Sequence, residues 1–366
     1  MLWHCDLTRF FCSIAKLTVA FFVWIVGVQA GQVTLRWDPD PDPALGGYRI
    51  YYGPASRNYS SVVDVGRTTI YTLYNLVDGR LYYFAATAYD SSGTAESGLS
   101  NEVSLTITPT VLSPNVNVLI THYYQRILGR TADSSGFAYW QGEITRSHGL
   151  GIDAQEAFRV MAGQFFASAE YLGRNTTDTQ YVTDLYRTFF DRNPDSGGLS
   201  YWTGQLRAGL PRSVLMFSFL FSAEFASYMR GILGNTGSRG EVYAVVDFYR
   251  GFLDRMPDPN GFNYWLGRFR AAQCQGSSAV VAEVDSISRQ FLASTEYLNR
   301  QRGNRDYVAD LYYAFLRRGG DLNGFNYWVT QLNTGARNRD QVRRDFIQSP
   351  EFQSRVQQII RAGCFS

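Results

Sequence analysis

Lysine and histidine are almost absent from this chain of 366 residues. Lys16 is the only lysine, and the chain has three histidines and four cysteines. No C-x-x-C pair is present, which excludes the common zinc-site patterns. The chain also lacks glycine-rich phosphate loops, zinc-protease motifs and a recognisable Ser-His-Asp catalytic triad. The sequence therefore predicts no catalytic residues, no cofactor and no standard metal site, and it predicts a protein that is not an enzyme.

An apolar segment at residues 17–28 follows Arg9 and Lys16 and ends in Val28-Gln29-Ala30. This arrangement is typical of a secretory signal peptide, here residues 1–30, with cleavage before Gly31. An uncleaved anchor is the alternative; cleavage would leave no membrane span. The remaining chain is close to neutral, which predicts no nucleic-acid partner. We expect a secreted, periplasmic or cell-surface protein.

Cleavage would also remove the first two cysteines and leave Cys274 and Cys364. Exported proteins mature in an oxidising environment, where two cysteines favour a disulfide. The sequence therefore predicts a structural bridge between Cys274 and Cys364, although two separate buried thiols are the alternative. Such a bridge would tie the end of the chain to the preceding repeats.

Residues 31–107 contain short runs of alternating polar and apolar residues, separated by turns rich in Pro, Gly, Asp and Ser. This spacing predicts an antiparallel all-β sandwich of about seven strands. The sequences W-D-P, GYRIYYG, YYFAATAYD and ESGLSNEV resemble a bacterial fibronectin type III module. The resemblance implies that Trp37 is a buried core residue and that the module serves as a spacer or an interaction unit.

A short linker, residues 108–116, leads into a region with helical periodicity. Its four tryptophans, Trp140, Trp202, Trp265 and Trp328, are 62, 63 and 63 residues apart, which predicts an all-α repeat region. Each tryptophan ends a shared segment such as DRNPDSGGLSYW, which we call the corner. A Ser-x-Glu sequence follows each corner, with gaps that alternate in length. We therefore expect two duplicated pairs of helical repeats, residues 117–234 and 235–366.

The repeats resemble domain of unknown function 4214, a family of exported bacterial repeats. The corner is also distantly similar to that of phycobilisome linker domains. The resemblance covers residues 117–360 and implies no particular biochemical activity.

Four hypotheses compete for the corner: catalysis by paired carboxylates, weak calcium binding at the Asp-x-x-Gly sequence, sugar binding by the aromatic residues, and structure. Only one Asp per corner occurs in all four copies, and the glycine is misplaced for an EF-hand. The tryptophan lies on a face that a helix would bury. We favour a helix–turn–helix corner in which Arg acts on a helix dipole, Asp caps the next helix, and Gly allows either positive φ or close approach. The predicted structural residues are Arg130, Asp133, Gly136, Trp140, Arg192, Asp195, Gly198, Trp202, Arg255, Asp258, Gly261, Trp265, Arg318, Asp321, Gly324 and Trp328.

These features together indicate a secreted modular protein with a non-enzymatic binding or scaffold role at the bacterial envelope or in the extracellular matrix. Its expected partner is a protein or polysaccharide at the cell surface. The alternative is a glycan-binding accessory protein of polysaccharide metabolism, and an enzyme is the third choice.

Overall fold

The computed structural model describes residues 23–29, 32–73, 76, 80–107 and 115–363. The chain forms two compact units. The first contains the β-strands together with residues 270–276 and the described residues from 359 onward. The second contains the helical residues 115–269 and 277–358.

Among the described residues, seven strands form the two sheets of the predicted sandwich. The three-stranded sheet has the order β1-β2-β5, and the four-stranded sheet has the order β4-β3-β6-β7. All described strand pairs are antiparallel. The strands are β1 (Val23–Gln29), β2 (Gln32–Trp37), β3 (Leu45–Gly53), β4 (Ser61–Gly66), β5 (Ile70–Leu73), β6 (Leu81–Asp90) and β7 (Val103–Thr106).

The sandwich core follows the alternation of the sequence. Val33, Leu35 and Trp37 alternate along β2 and are fully buried, because successive side chains of a strand point to opposite faces. Trp37 packs edge-on against Tyr48, with ring centroids 5.6 Å apart. The predicted all-β sandwich and its buried tryptophan are therefore confirmed.

Strand β1 lies inside the segment that the sequence marks as a signal peptide. It pairs with β2 from Val23↔Trp37 to Gln29↔Gln32. The backbone N–H of Val23 donates to Oδ1 of Asn101 at 2.7 Å. The predicted cleavage site before Gly31 falls between β1 and β2, so cleavage would remove this edge strand. Processing of the chain therefore stays a prediction.

Four helices make up each repeat, and their lengths alternate. The third helix is long in repeats 1 and 3 and shorter in repeats 2 and 4, whereas the fourth helix shows the opposite order. This alternation confirms two duplicated pairs. The helices are α1 (Asn115–Tyr123), α2 (Ser134–Gly149), α3 (Ala154–Ala167), α4 (Ala169–Leu172), α5 (Asp178–Phe189), α6 (Ser196–Arg207), α7 (Arg212–Leu220), α8 (Ala223–Leu233), α9 (Gly240–Leu253), α10 (Pro259–Gln273), α11 (Ser277–Ala293), α12 (Thr295–Asn299), α13 (Asn304–Leu311), α14 (Leu322–Asn333), α15 (Arg339–Gln348) and α16 (Pro350–Arg361).

The first helix of repeat 1 and that of repeat 4 each end in a π-helical turn. These turns are Tyr124–Leu128 after α1 and Tyr312–Leu316 after α13. Helix α1 begins at Asn115, within the expected linker, and residues 108–114 of that linker lie outside the described residues. Within the described part of the chain, no helix combines the length and the apolar character needed to cross a membrane.

Candidate functional site

The aspartate of each corner caps the second helix of its repeat. Its Oδ1 accepts a hydrogen bond from the backbone N–H of the corner glycine three residues later, at 2.8, 2.8, 2.8 and 2.7 Å in repeats 1 to 4. This bond satisfies one of the amide groups that a helix leaves unpaired at its N-terminus. The four capping residues are Asp133, Asp195, Asp258 and Asp321.

The corner glycine is required by close approach rather than by backbone conformation. A Cβ at any of the four positions would overlap the hydroxyl of a tyrosine from the first helix or its π-helical turn, and none of the four has a positive φ. The glycines are Gly136, Gly198, Gly261 and Gly324, and the facing tyrosines are Tyr124, Tyr186, Tyr249 and Tyr312. The structure thus selects one of the two reasons that the sequence allowed.

The corner arginine forms a bidentate ion pair with the glutamate of the Ser-x-Glu sequence. Nε donates to Oε1 at 2.6–2.7 Å and Nη2 donates to Oε2 at 2.9–3.0 Å in all four repeats. The predicted role at a helix dipole did not include this pairing. It holds the corner to the start of the fourth helix, and it explains why Arg rather than Lys suits the position. The pairs are Arg130–Glu170, Arg192–Glu224, Arg255–Glu296 and Arg318–Glu351.

The residue before each corner arginine adopts a left-handed backbone conformation. Gly129, Asp191, Asp254 and Arg317 have φ values of 72°, 50°, 55° and 51°. From the sequence, these positions differ in charge and share no chemistry. Their common property is the tight turn that ends the first helix, a conformation that non-glycine residues adopt with some strain.

The corner tryptophan is buried in the first repeat and partly exposed in the other three. Trp140 is buried with 3% exposure, but Trp202, Trp265 and Trp328 are only half-buried. Each tryptophan packs on a phenylalanine of the third helix, with centroids 5.3–5.8 Å apart. The expected burial is therefore complete only for Trp140, because in the other three repeats the third helix covers only part of the indole.

The tyrosine before each tryptophan is exposed in all four repeats. Its ring stands edge-on to the indole, with centroids 4.8–5.3 Å apart. An exposed tyrosine fixed against a second ring offers an apolar face and a hydroxyl group at a low entropic cost of binding. The four residues are Tyr139, Tyr201, Tyr264 and Tyr327, which are 55, 57, 57 and 52% exposed.

The serine of each Ser-x-Glu sequence caps the fourth helix. Its hydroxyl accepts from the backbone N–H three residues later at 3.0–3.2 Å. This is the capping role expected for such a serine. The four capping serines are Ser168, Ser222, Ser294 and Ser349.

A buried charge cluster, which sequence reasoning missed, joins three of the repeats. Glu156 in α3 and Asp247 in α9 are fully buried. Oε1 of Glu156 accepts from Nη1 of Arg159 at 2.7 Å and from Nη2 of Arg317 at 2.6 Å, and Arg250 bonds to the other oxygen.

Asp247 gathers a second set of arginines in the same cluster. Its Oδ1 accepts from Nη1 of Arg317 at 2.6 Å and from Arg250, and its Oδ2 accepts from Arg355 of α16. Arg159, Arg250 and Arg317 all lie 4.9–5.1 Å from the ring centroid of Phe221. Four arginines therefore surround two carboxylates, an excess of two positive charges.

The pKa shifts follow from this arrangement. Burial raises the pKa of Glu156, but Arg159, Arg317 and Arg250 outweigh burial and leave that pKa below its usual value. Burial lowers the pKa of Arg355; Asp247 opposes this effect, whereas Arg317 and Arg250 add to it. The cluster thus depends on both carboxylates being ionised, since each is the counter-ion of several guanidinium groups.

The equivalent place in the first pair is not a charge cluster. His122 occupies the position of Asp247 within its repeat, and its Nε2 lies 2.9 Å from the carbonyl oxygen of Thr188. Burial lowers the pKa of His122. His122 is half-buried, and the duplicated pairs therefore differ in their interior charge.

Within the described residues, no group of three or more His, Cys, Asp or Glu side chains is arranged to hold a metal ion. Each corner Asp already accepts a backbone hydrogen bond and lies 3.4–4.0 Å from its corner arginine. These contacts satisfy the carboxylates without an ion. Weak calcium binding at the corners stays an untested expectation.

The predicted disulfide falls only partly within the described chain. Cys274 follows the end of α10 and is exposed, whereas Cys364 lies outside the described residues. Next to Cys274, Nε2 of Gln273 donates to the carbonyl oxygen of Ile359 at 2.6 Å. This bond brings the end of α10 close to a residue of α16 that lies five residues before Cys364. The disulfide between Cys274 and Cys364 stays a prediction, and this approach of the two helices is compatible with it.

Two segments, residues 162–229 and 288–356, match the family model of DUF4214, a domain of unknown function. Both matched segments lie in the helical region. They begin 126 residues apart, the period of the duplicated pairs. Each matched segment begins within a third helix, crosses the corner of repeat 2 or 4, and ends within the fourth helix of that repeat.

Solved structures similar to this chain include two human fibronectin type III domains. One is 21% identical and covers 25% of this chain and 76% of its own, with a TM-score of 0.22. The other is 22% identical and covers 24% and 79%, with a TM-score of 0.21. A β-1,2-glucanase from Parabacteroides distasonis is 13% identical over 93% of this chain and 73% of its own, with a TM-score of 0.22. Similarities this low support no inference about activity.

Asp254 provides a test of the left-handed turn. Burial raises its pKa to about 6, with a smaller contribution from Asp310, while Arg300 and Arg302 lower it. An acid whose folded pKa exceeds its unfolded value loses stability as pH rises from about 4 through 6. Asp254→Asn keeps the shape and tolerates positive φ. We expect the free energy of unfolding to rise by about 1–2 kcal/mol at pH 7.5 and not at pH 4. The expected rise is smaller than the full pKa shift implies, because solvent reaches this half-buried group.

Denaturant unfolding at both pH values measures this difference. Asp191→Asn is the matched control, because Asp191 holds the same place and φ in repeat 2 but is exposed and pairs with Arg126 at 2.8 Å. Equal pH dependence in both variants would contradict the assigned role of burial.

Proposed function

We propose that this modular protein is secreted and non-enzymatic, and that its helical repeats bind a multivalent partner at the cell envelope or in the extracellular matrix. One observation carries the proposal: Tyr139, Tyr201, Tyr264 and Tyr327 repeat the same exposed ring at the same place in every corner. The rest of the corner serves the fold, but an exposed tyrosine adds little to folding. Four equivalent contacts would strengthen binding through avidity.

Secretion is supported by the N-terminal sequence, in which two basic residues precede an apolar segment and a small-residue cleavage site. N-terminal sequencing of the exported protein tests this part separately. A mature chain that begins at Gly31 agrees with it, whereas an intact N-terminus on exported protein contradicts it.

A glycan is the second candidate partner. The exposed tyrosines stand edge-on to tryptophans of which three are half-buried, and sugar rings stack on partly exposed aromatic faces. Two experiments distinguish the candidate partners. A protein partner is recovered by pull-down from an envelope extract, whereas a glycan partner is detected on a glycan array.

Replacing all four tyrosines with serine should abolish the recovered interaction and leave thermal stability nearly unchanged. Single replacements should weaken binding stepwise, because each removes one of four contacts. Leu172→Ser with Leu298→Ser is the matched control, since these leucines are 58 and 61% exposed but lie outside the corners. Full binding by the quadruple variant would refute the proposal.

A further inference from the structure

The two duplicated pairs differ in one packed position. In the first pair, the ring of Phe166 fills the space beside Tyr171 and Tyr181, with centroids 4.8 and 5.5 Å away. The second pair keeps both tyrosines as Tyr297 and Tyr307, each buried. At the position of Phe166, 126 residues later, it has Leu292. A leucine lacks the volume of a phenyl ring, so the second pair has room where the first has a side chain.

A cavity of about 310 Å³ occupies this place in the second pair. Leu292, Tyr297 and Tyr307 form its apolar wall, and Arg289, Arg339 and Arg343 bring three guanidinium groups to it. Its volume is at the lower end of the range for small-molecule pockets. A compound of about the size of one aromatic amino acid would therefore fit.

The charge of the cavity also distinguishes the two pairs. Arg343 is 1% exposed and takes the place that Met216 holds in α7. It donates to Oδ1 of Asp285 at 2.7 Å, to Ser288 at 2.7 Å and to Oδ1 of Asp340 at 2.8 Å. These bonds hold a buried positive charge in the wall of the cavity.

The rim carries further cations. The guanidinium of Arg339 lies 5.0 Å from the ring centroid of Tyr307, and the side chain of Arg289 is 61% exposed and pairs with Asp285. Arg344 pairs with Asp340 at 2.6 Å. The three arginines of the lining, together with Arg344 outside it, outnumber Asp285 and Asp340 by two, and this excess of positive charge favours an anion.

We propose that this cavity binds a small carboxylate with a flat apolar body. The ring of the ligand takes the place that the phenyl ring of Phe166 holds in the first pair, between two tyrosine faces. Its carboxylate faces the arginines at the rim, whose planar fork suits two carboxylate oxygens. The first pair lacks both the space and the buried arginine.

Titration of the full exported chain with benzoate tests this proposal, with benzyl alcohol as the neutral probe of similar shape. Benzoate should bind at least about tenfold more tightly, because only it offers a charge to the rim. Leu292→Phe restores the ring found in the first pair and should weaken benzoate binding by at least about tenfold while the melting temperature holds or rises.

Two further variants separate the contribution of the cavity's shape to benzoate binding from that of its charge. Arg289→Gln should weaken benzoate but not benzyl alcohol, with no change in melting temperature, because the residue lies exposed at the rim. Phe166→Leu is the matched control in the first pair, where Met216 replaces the buried arginine, and should add no benzoate site. No benzoate binding by the parent protein, equal affinity for both probes, or unchanged benzoate binding by folded Leu292→Phe protein would overturn the proposal.

Discussion

Asp247→Asn should lower the free energy of unfolding by about 3–5 kcal/mol, the cost of breaking a buried ion pair by removing one partner. Asp247 is fully buried and faces Arg250, Arg317 and Arg355. An asparagine has nearly the same shape, so packing is preserved. The change leaves Glu156 as the single carboxylate among four guanidinium groups, of which those of Arg159 and Arg250 are buried. Denaturant unfolding, monitored by tryptophan fluorescence, measures the loss.

Asp184→Asn is the matched control for this prediction. Asp184 holds the same helical position in repeat 2 and is also buried, but its carboxylate accepts from the hydroxyl of Tyr171 at 2.9 Å and from the amide of Gln180 at 2.6 Å. We expect a smaller loss of about 1 kcal/mol there, because the asparagine can still accept one of the two hydrogen bonds and no buried guanidinium loses its counter-ion.

A double variant tests the cause of the large loss. Asp247→Asn combined with Arg355→Met removes one excess positive charge, and it should recover part of the stability lost in Asp247→Asn alone. Similar losses for Asp247→Asn and Asp184→Asn, or no recovery in the double variant, would mean that the cluster contributes no more than ordinary polar contacts.

The repeats could be predicted from the sequence because their signals are local. The capping Asp195 and its Gly198 lie three residues apart, and the amphipathic stripe of α5 repeats every three or four residues. The corner tryptophan, Trp202 in repeat 2, marks the same helical position in each repeat. Local spacing of this kind gives the elements, their order and their duplication.

Contacts between distant parts of the chain could not be predicted in this way. Arg192 and Glu224 were both recognised as repeated residues, but they lie 32 residues apart and no local pattern pairs them. Glu156 and Arg317 are 161 residues apart. Exposure was misjudged for a related reason: helical periodicity shows which side of α6 carries Trp202, but the neighbouring α7 determines how much of the ring is covered.

Gly198→Ala should lower the free energy of unfolding by about 1–3 kcal/mol, although alanine favours helices more than glycine does. The new methyl group would meet the hydroxyl of Tyr186, whose ring belongs to α5 and is 6% exposed. A buried tyrosine cannot move aside without disturbing its contact with Phe219, 5.0 Å away between centroids. Overpacking should therefore outweigh the gain in helix propensity.

Gly204→Ala in the same helix is the matched control. Apart from the backbone of its own helix, no atom lies within 4 Å of its added Cβ, so the substitution should raise stability by up to about 1 kcal/mol. Tyr186→Phe removes the hydroxyl that the Gly198→Ala methyl meets, and it should restore most of the stability of Gly198→Ala in the double variant, a coupling that independent effects cannot produce. If both alanine variants gained stability equally, the corner glycine would owe its place to something other than the approach of Tyr186. If Tyr186→Phe reverses the measured loss, we expect the same result at Gly136, Gly261 and Gly324, where the hydroxyl of the equivalent tyrosine faces the glycine.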